Sequence, residues 1–482
     1  MPPGEDSNGS YGTKHVGLEG RDVSGCDNEN MNAIYHGNST EEEPPNRSNE
    51  KSTAKQNTRY WQIGAVVSSV FANMCFGGLS NSYGVMYTYM KEPLGTTEWD
   101  LSWIGSLNGG CIVFACIFGT LLIENLGGRL TTATGGVLAV LGYTIGSQMN
   151  NIYLLYFTLG ILPGIGVSLA YATGMVHVNR QFSKWRPVAV GIAVTGIAIG
   201  MLSWPPLSAA VAENMGWRGT FLMNGALTMH FLPCALWIAP RNRKETSCKC
   251  PRSSVRETVI NCFKIHRLPG ALAFSIAQLP FGFGYFTFST FLPDYVTASP
   301  FSMTSSEAAL IVSSSGYGSM LGRVLFCGIA MVNTQSTKYI LVFSGCLVGI
   351  SNLIVPLCDG PVTLHISSAV NGLAIGGWMG IILLVTVELF GLDNLPRVFG
   401  MNMMCEGLGS FLGPPVQSYL ATIFGKENPF YTAGIAFAVT TVCIILSIMQ
   451  TRKTFCTSGR LPTKAVVPGV DNVAFSPDNT TC

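Results

Sequence analysis

Two ionisable side chains stand where charge is hard to keep. Arg323 lies about 15 residues into an apolar run and is followed by ten apolar or small residues, VLFCGIAMVN. A charge at that depth costs at least about 2.5 to 3.5 kcal/mol on insertion scales, so it must face a cavity or a partner. Arginine's planar fork grips a carboxylate with two parallel hydrogen bonds and keeps its proton, which suits a site for an organic anion. Glu406 sits in a second run, nine residues past Arg397. A carboxylate stripped of water is a candidate proton carrier. It is equally placed to pair with Arg323, and that structural alternative stays open. Trp378, in GGWMGIILL, and Phe281, in LPFGFGYF, are candidates to line a cavity around an apolar substrate tail, with plain packing as the alternative. His230 and His365 stand near the ends of runs and read as interfacial. The chain has no phosphate-cradling glycine loop and no His/Cys/carboxylate cluster, which argues against an enzyme and calls for no metal or cofactor.

The elements that carry these residues follow from composition. Of 482 residues 48% are hydrophobic and 11% charged, against roughly 25% charged in soluble domains. Residues 60–239 hold 11 charged side chains and residues 269–450 another 11. Stretches of about 20 apolar residues, enough to cross roughly 30 Å of hydrocarbon, number six in each block. They start near Trp61, Leu101, Leu130, Ile152, Pro187 and Thr220, then near Ala271, Ala308, Tyr339, Val362, Val398 and Phe430. The expectation is an all-α membrane protein of twelve transmembrane helices. It would comprise a disordered tail (1–59), a six-helix bundle (60–239), a basic loop (240–268), a second bundle (269–450) and a C-terminal tail (451–482).

An even number of spans puts both termini on one side, and positive residues stay cytoplasmic. The short loops on the terminal side carry Arg129, Arg180, Lys184, Arg186, Lys338 and Arg397, and the central loop adds eight Lys and Arg. The other side has Lys91, Arg218 and Lys426. The tails and the central loop are therefore expected in the cytoplasm, where the sequons at Asn8, Asn38, Asn46 and Asn479 would stay unmodified. Eight of the 15 cysteines fall inside spans and only Cys358 lies near the outer face, so no disulfide is expected there. CKCP at 248–251, with Cys262, is either an inert loop or a palmitoylation site beside a basic segment.

An internal repeat links the halves. FSKWRPVAVGIAVTGIAIGMLSWPP (182–206) and PRVFGMNMMCEGLGSFLGPP (396–415) share a register in which Gly191 and Gly400 each precede a double proline by 14 residues, and Gly200 and Gly409 by five. This makes the fifth and eleventh spans equivalents in a six-plus-six architecture. Gly191, Gly196 and Gly200 are taken to share one helical face and to admit a neighbouring backbone. Pro205 and Pro206, and likewise Gly413, Pro414 and Pro415, are expected to kink or end their helices near the outer side. The motif serves helix packing alone or, on the functional reading, a helix that rocks during alternating access.

Several further motifs stand in order: SYGVMYTYMKE, SWIGSL, NLGGRL, FSKWRPVAVGIAVTG, GWRGTF, FLPDYV, SSEAALIVSSSGYGSMLGR and EGLGSFLGPP. With them the chain, over about residues 60–450, resembles the monocarboxylate transporter family of the major facilitator superfamily. The resemblance implies a secondary transporter that moves a small monocarboxylate across the plasma membrane by alternating access. It also implies, as a possible partner, a single-span immunoglobulin-type ancillary subunit. Departures bear on the site. NTRYWQIG keeps Trp61 but has Arg59 where the family has an acid, and the late first span, Ser80 to Gly84, lacks the lysine of the lactate carriers. Those carriers pair an aspartate with an arginine four residues later; here Ser319 precedes Arg323. Ser319 joins the substrate-binding candidates on that ground. With Glu406 left alone and neutralised by Arg323, coupling to protons is expected to be weaker than in the lactate carriers. Two alternatives remain: facilitated diffusion of larger carboxylate-bearing substrates such as aromatic amino acids, and a membrane scaffold that transports nothing.

Overall fold

The computed structural model describes residues 45–182, 185–238, 268, 270–298, 301–332, 336–391 and 394–458. The CKCP segment, Cys262, Lys184 and the greater part of both tails lie outside the described residues. Within them the regular structure is entirely helical, as hydrocarbon requires of a chain that must satisfy every backbone N–H and C=O by itself.

Helices that continue one another across short breaks form twelve rods. In the first half these are α1 (Pro45–Asn81, then Tyr83–Leu94), α2 (Glu98–Phe114, then Cys116–Leu126), α3 (Gly128–Gly146) and α4 (Ile152–Gln181), followed by α5 and α6, which share Arg186–Thr228 before Phe231–Trp237. In the second half they are α7 (Ala271–Thr297), α8 (Ser305–Val332), α9 (Thr337–Ile354), α10 (Pro361–Phe390), α11 (Leu395–Phe424) and α12 (Asn428–Ser458). By length and composition seven helices can cross a membrane, and α2, bent by 41°, makes an eighth. One of the seven is the 50-residue run Val188–Trp237, in which α5 turns into α6 at Gly216. There φ is 67°, a conformation that only glycine adopts freely. The rods α3, α8 and α11, of 19, 28 and 30 residues, do not count among the seven, and two of them carry Arg323 and Glu406.

The repeat reappears as contact geometry. α5 lies on α1 as α11 lies on α7, in one register. A Cβ on Gly77 would meet the Ile197 carbonyl oxygen at 2.3 Å, and one on Gly282 would meet that of Glu406 at 2.1 Å. Likewise Gly200 abuts Met74 O at 2.1 Å and Gly409 abuts Leu279 O at 2.0 Å. Gly196 and Gly413 extend the two seams against Val70 O and Phe283 O, at 2.3 and 2.2 Å. Two stacked aromatic pairs obey the same register: Phe76 on Tyr171 of α4, and Phe281 on Trp378 of α10, each with ring centroids 4.9 Å apart.

The motif departs from expectation in two respects. Gly191 touches nothing within 4 Å of an added Cβ, because five residues at about 100° each turn it roughly 140° away from Gly196; it is not a packing glycine. Nor does either double proline end its helix. α5 runs on from Pro205 and Pro206 to Gly216, and α11 from Pro414 and Pro415 to Phe424. A proline elsewhere explains a distant contact. Pro163 of α4 has no N–H for the Leu159 carbonyl one turn back, and the Asn108 side chain of α2 donates to that oxygen at 3.1 Å.

The halves meet through α2 against α11, α5 against α8 and the outer part of α1 against that of α7. The closest approaches run from the middle of the rods to the ends remote from residues 60 and 458. Gly84 abuts Ser289 O at 2.0 Å, Gly110 the Phe411 ring at 2.4 Å and Gly316 the Leu202 nitrogen at 2.5 Å. At the rim Asp294 of α7 holds Lys426 at 2.7 Å and Lys91 of α1 at 3.8 Å. Lys91 also bridges to Glu98 at 2.5 Å, and Ser306 donates to Glu213 at 2.5 Å across the α8–α5 seam.

Candidate substrate site

Arg323 projects from α8 with its stem against Gly380 of α10, whose added Cβ would lie 3.9 Å from the arginine Cγ. Only 8% of the residue is exposed. Nη1 donates to Ser319 Oγ at 2.7 Å, one helical turn back on the same face. Nε and Nη2 are buried and have no partner. These two nitrogens form one edge of the guanidinium, the edge that accepts a carboxylate side-on.

Glu406 does not supply that carboxylate. The ion pairs among the described residues are those of Lys91, Lys338 and Lys426, so the Arg323–Glu406 pair left open by the sequence is not formed. Position along two helices fixes depth, whereas azimuth is set by packing. The backbone of Glu406 is pinned by Gly282 of α7, and its side chain, 4% exposed, lies within electrostatic reach of Cys116 on α2.

Tyr171 of α4 and Tyr285 of α7 are buried in the same region. Each lies within electrostatic reach of both Arg323 and Glu406. Tyr171 is held by its stack on Phe76. Tyr285 stacks on Phe281 with centroids 5.6 Å apart and meets Phe286 edge-on at 4.7 Å. The sequence reasoning missed both tyrosines. The signal was there: Tyr285 follows Phe281 by one helical turn, and Tyr171 is the stacking partner that the repeat assigns opposite Trp378.

The remaining candidates sit elsewhere. Phe281 and Trp378 are 0% and 1% exposed and belong to the core of the second half, with Phe281 edge-on to Phe437 of α12. Phe281 stacks on both Trp378 and Tyr285, and Trp378 Nε1 is buried without a partner. Gly196, Gly200 and Gly413 form the seams described above, and Gly191 stands apart. His365 bonds to Ser314 at 2.7 Å and His230 to carbonyls of its own helix. Among the described residues no group of His, Cys, Asp and Glu is arranged to hold a metal ion.

Two buried ionisable groups, Arg323 and Glu406, thus lie in one of two repeat-related helical halves without pairing to each other. The family model of the Major Facilitator Superfamily matches residues 69–331 and 274–468. The chain belongs to the major facilitator superfamily. As a member it is a membrane transporter and not an enzyme. Its curated relatives bear out the family resemblance. It is 25% identical to monocarboxylate transporter 13 of Rattus norvegicus over 80% of this chain and 89% of that one. It is 28% identical to the human monocarboxylate transporter 11 over 75% and 76%, and 26% identical to the human monocarboxylate transporter 6 over 71% of each. Solved structures share the fold: a POT family transporter in complex with 5-aminolevulinic acid (TM-score 0.65, 15% identity, 81% of this chain and 96% of that one) and a nucleoside transporter (TM-score 0.64, 14% identity, 80% and 98%).

Proposed function

We propose that this superfamily member is a secondary transporter of a small monocarboxylate or a related organic anion, working by alternating access between the bundles 60–239 and 269–450. The observation that carries the reading is the buried, unpartnered Nε/Nη2 edge of Arg323. Names of the relatives support it.

The expectation of weak proton coupling rested on Ser319 in place of an acid, on the missing lysine of the first span and on Glu406 being neutralised by Arg323; the last of these grounds is absent, since the two form no ion pair. With Glu406 ionised, Arg323 and Glu406 carry no net charge between them, and an added anion leaves one negative charge in a poorly solvated place. A proton taken up by Glu406 with the anion removes that charge. Symport through Glu406, one proton per anion, is therefore the coupling favoured here, with no role for an acid at position 319. The tails and the central loop lie in the cytoplasm and the protein acts at the plasma membrane; the positive-residue distribution supports the first point and the family resemblance the second. An immunoglobulin-type ancillary subunit rests on that resemblance alone.

The test is initial uptake of labelled pyruvate, lactate and aromatic amino acids by cells expressing the chain, at outer pH 6.0 and 7.5. Small monocarboxylates should enter faster at pH 6.0, and Glu406→Gln should abolish the difference. Uptake of aromatic amino acids alone would select the larger-substrate reading. No uptake of any, at normal surface abundance, would select the scaffold.

A further inference from the structure

One face of α8 passes from packed to open. Ala309 is buried in the core of the first half, and Gly316 abuts Leu202 of α5. Arg323 and Cys327 follow Gly316 by seven and eleven residues, which are two and three helical turns, and so keep within about 20° of its azimuth. On α5 the same intervals, counted back from Leu202, reach Thr195 and Gly191. No atom lies within 4 Å of a Cβ added to Gly191, so the two helices part beyond the Gly316–Leu202 contact, on the side of Val332. Cys327 is half-buried there.

The thiol shares a wall with the arginine. A Cβ on Gly380 of α10 would lie 2.8 Å from Cys327 Sγ and 3.9 Å from Arg323 Cγ, so the sulfur and the arginine stem flank one point. Arg323 supplies what a thiol by itself lacks, a reason for a ligand to come, because its Nε/Nη2 edge is buried and unpartnered. We propose that Cys327 is a covalent modification site on the approach to Arg323, and that it takes small carboxylate-bearing disulfides by thiol–disulfide exchange. The proposal rests on the anion reading above for its charge preference.

In the exchange the Cys327 thiol gives its proton to water, the thiolate attacks one sulfur of the disulfide, and the S–S bond of the reagent breaks as the new one forms. The other half of the reagent leaves as a thiolate, and the disulfide is the only oxidant consumed. With dithiodiglycolate the adduct ends in a methylene and a carboxylate, an anion tethered one helical turn from the guanidinium. Folded back onto the free edge of Arg323, it occupies the place of a substrate's head. The guanidinium also gathers anions beside the thiol before any reaction, since a cleft lined by one sign of charge concentrates the opposite ion about 10- to 1,000-fold.

The experiment treats the full chain in proteoliposomes with dithiodiglycolate and with its cationic counterpart cystamine, each rate being referred to that with free cysteine. Peptide mass spectrometry reads the adduct at Cys327, and uptake of labelled pyruvate and lactate reads its effect. Dithiodiglycolate should modify Cys327 about tenfold or more faster than cystamine, and excess benzoate should slow the reaction severalfold. Uptake should collapse on modification and return with dithiothreitol, whereas Cys327→Ser should keep its own untreated uptake through the same treatment. In Arg323→Gln the preference between the two reagents should vanish; if that variant does not fold, protection of the parent by benzoate answers the same question. A folded parent with no adduct at Cys327 overturns the proposal, as do equal rates for the two reagents that benzoate leaves unchanged. If the untreated parent takes up neither pyruvate nor lactate, the reading under Proposed function falls by itself, and the charge preference and its loss in Arg323→Gln still decide the site.

Discussion

Replacing Arg323 by lysine isolates the contribution of the guanidinium edge from that of its charge. In the structure Nη1 is committed to Ser319 at 2.7 Å and the free donors are Nε and Nη2. A lysine keeps the positive charge but presents a single point, so one of the two parallel bonds to the substrate is lost. A hydrogen bond to a charged group contributes about 1.5 to 3 kcal/mol, and about 1.4 kcal/mol is a factor of ten. The half-saturation for anion uptake should therefore rise roughly 10- to 100-fold in Arg323→Lys, and uptake should be abolished in Arg323→Ala. Ser319→Ala should weaken uptake by less, about threefold, because the bidentate edge survives and only its orientation loosens. The assay is initial-rate uptake normalised to surface protein by biotinylation. Normal transport by both arginine variants at parental surface abundance would show that Arg323 is structural and that its unpartnered edge has no substrate.

Other consequences can be tested more briefly. Gly200→Ala and Gly409→Ala place a Cβ about 2 Å from a backbone carbonyl and should each destabilise the folded chain by about 1 to 3 kcal/mol, whereas Gly191→Ala should leave its unfolding temperature within a degree; a Gly191→Ala loss equal to the others would contradict the seam. Asp294→Asn releases Lys91, the pair that crosses between the halves, and Lys426, within the second half; at about 0.2 to 1 kcal/mol for the partly exposed crossing pair the rim should open up to about fivefold more often, read as faster alkylation of a cysteine placed at Ser289, and unchanged labelling would mean that the pair is ornamental. Epitope tags at residues 30, 250 and 470 should be detected only in permeabilised cells, and staining of intact cells would reverse the orientation.

The ionisable pair and the rods that carry it were legible because both are one-dimensional signals. Arg323 is conspicuous by depth alone, and Ser319 falls on its face by the spacing of one turn. The fifth and eleventh spans were matched by register without knowledge of what they touch. Whatever depended on azimuth was not legible. A helix apolar all round has no preferred face, so the sequence offered no reason to stack Phe281 on Trp378 in the core of the second half. The same ignorance allowed a pair between Arg323 and Glu406 that the structure does not form. Tyr171 and Tyr285 were passed over because a tyrosine in an apolar run looks like any other large side chain until its neighbours are known.

The repeat has one further consequence. Gly77 and Gly282 make the same contact, on Ile197 in one half and on Glu406 in the other; Phe76 and Phe281 make the same stack, on Tyr171 and on Trp378. The scaffold is thus duplicated while its chemistry is not, since every matched place carries a different polar group or none. On the function proposed above, such a molecule has a fixed polarity, with Arg323 of the second half as the place for a solute's charged head. The first half, which has no counterpart of Arg323 at the matched places, is then free to diverge without moving that arginine.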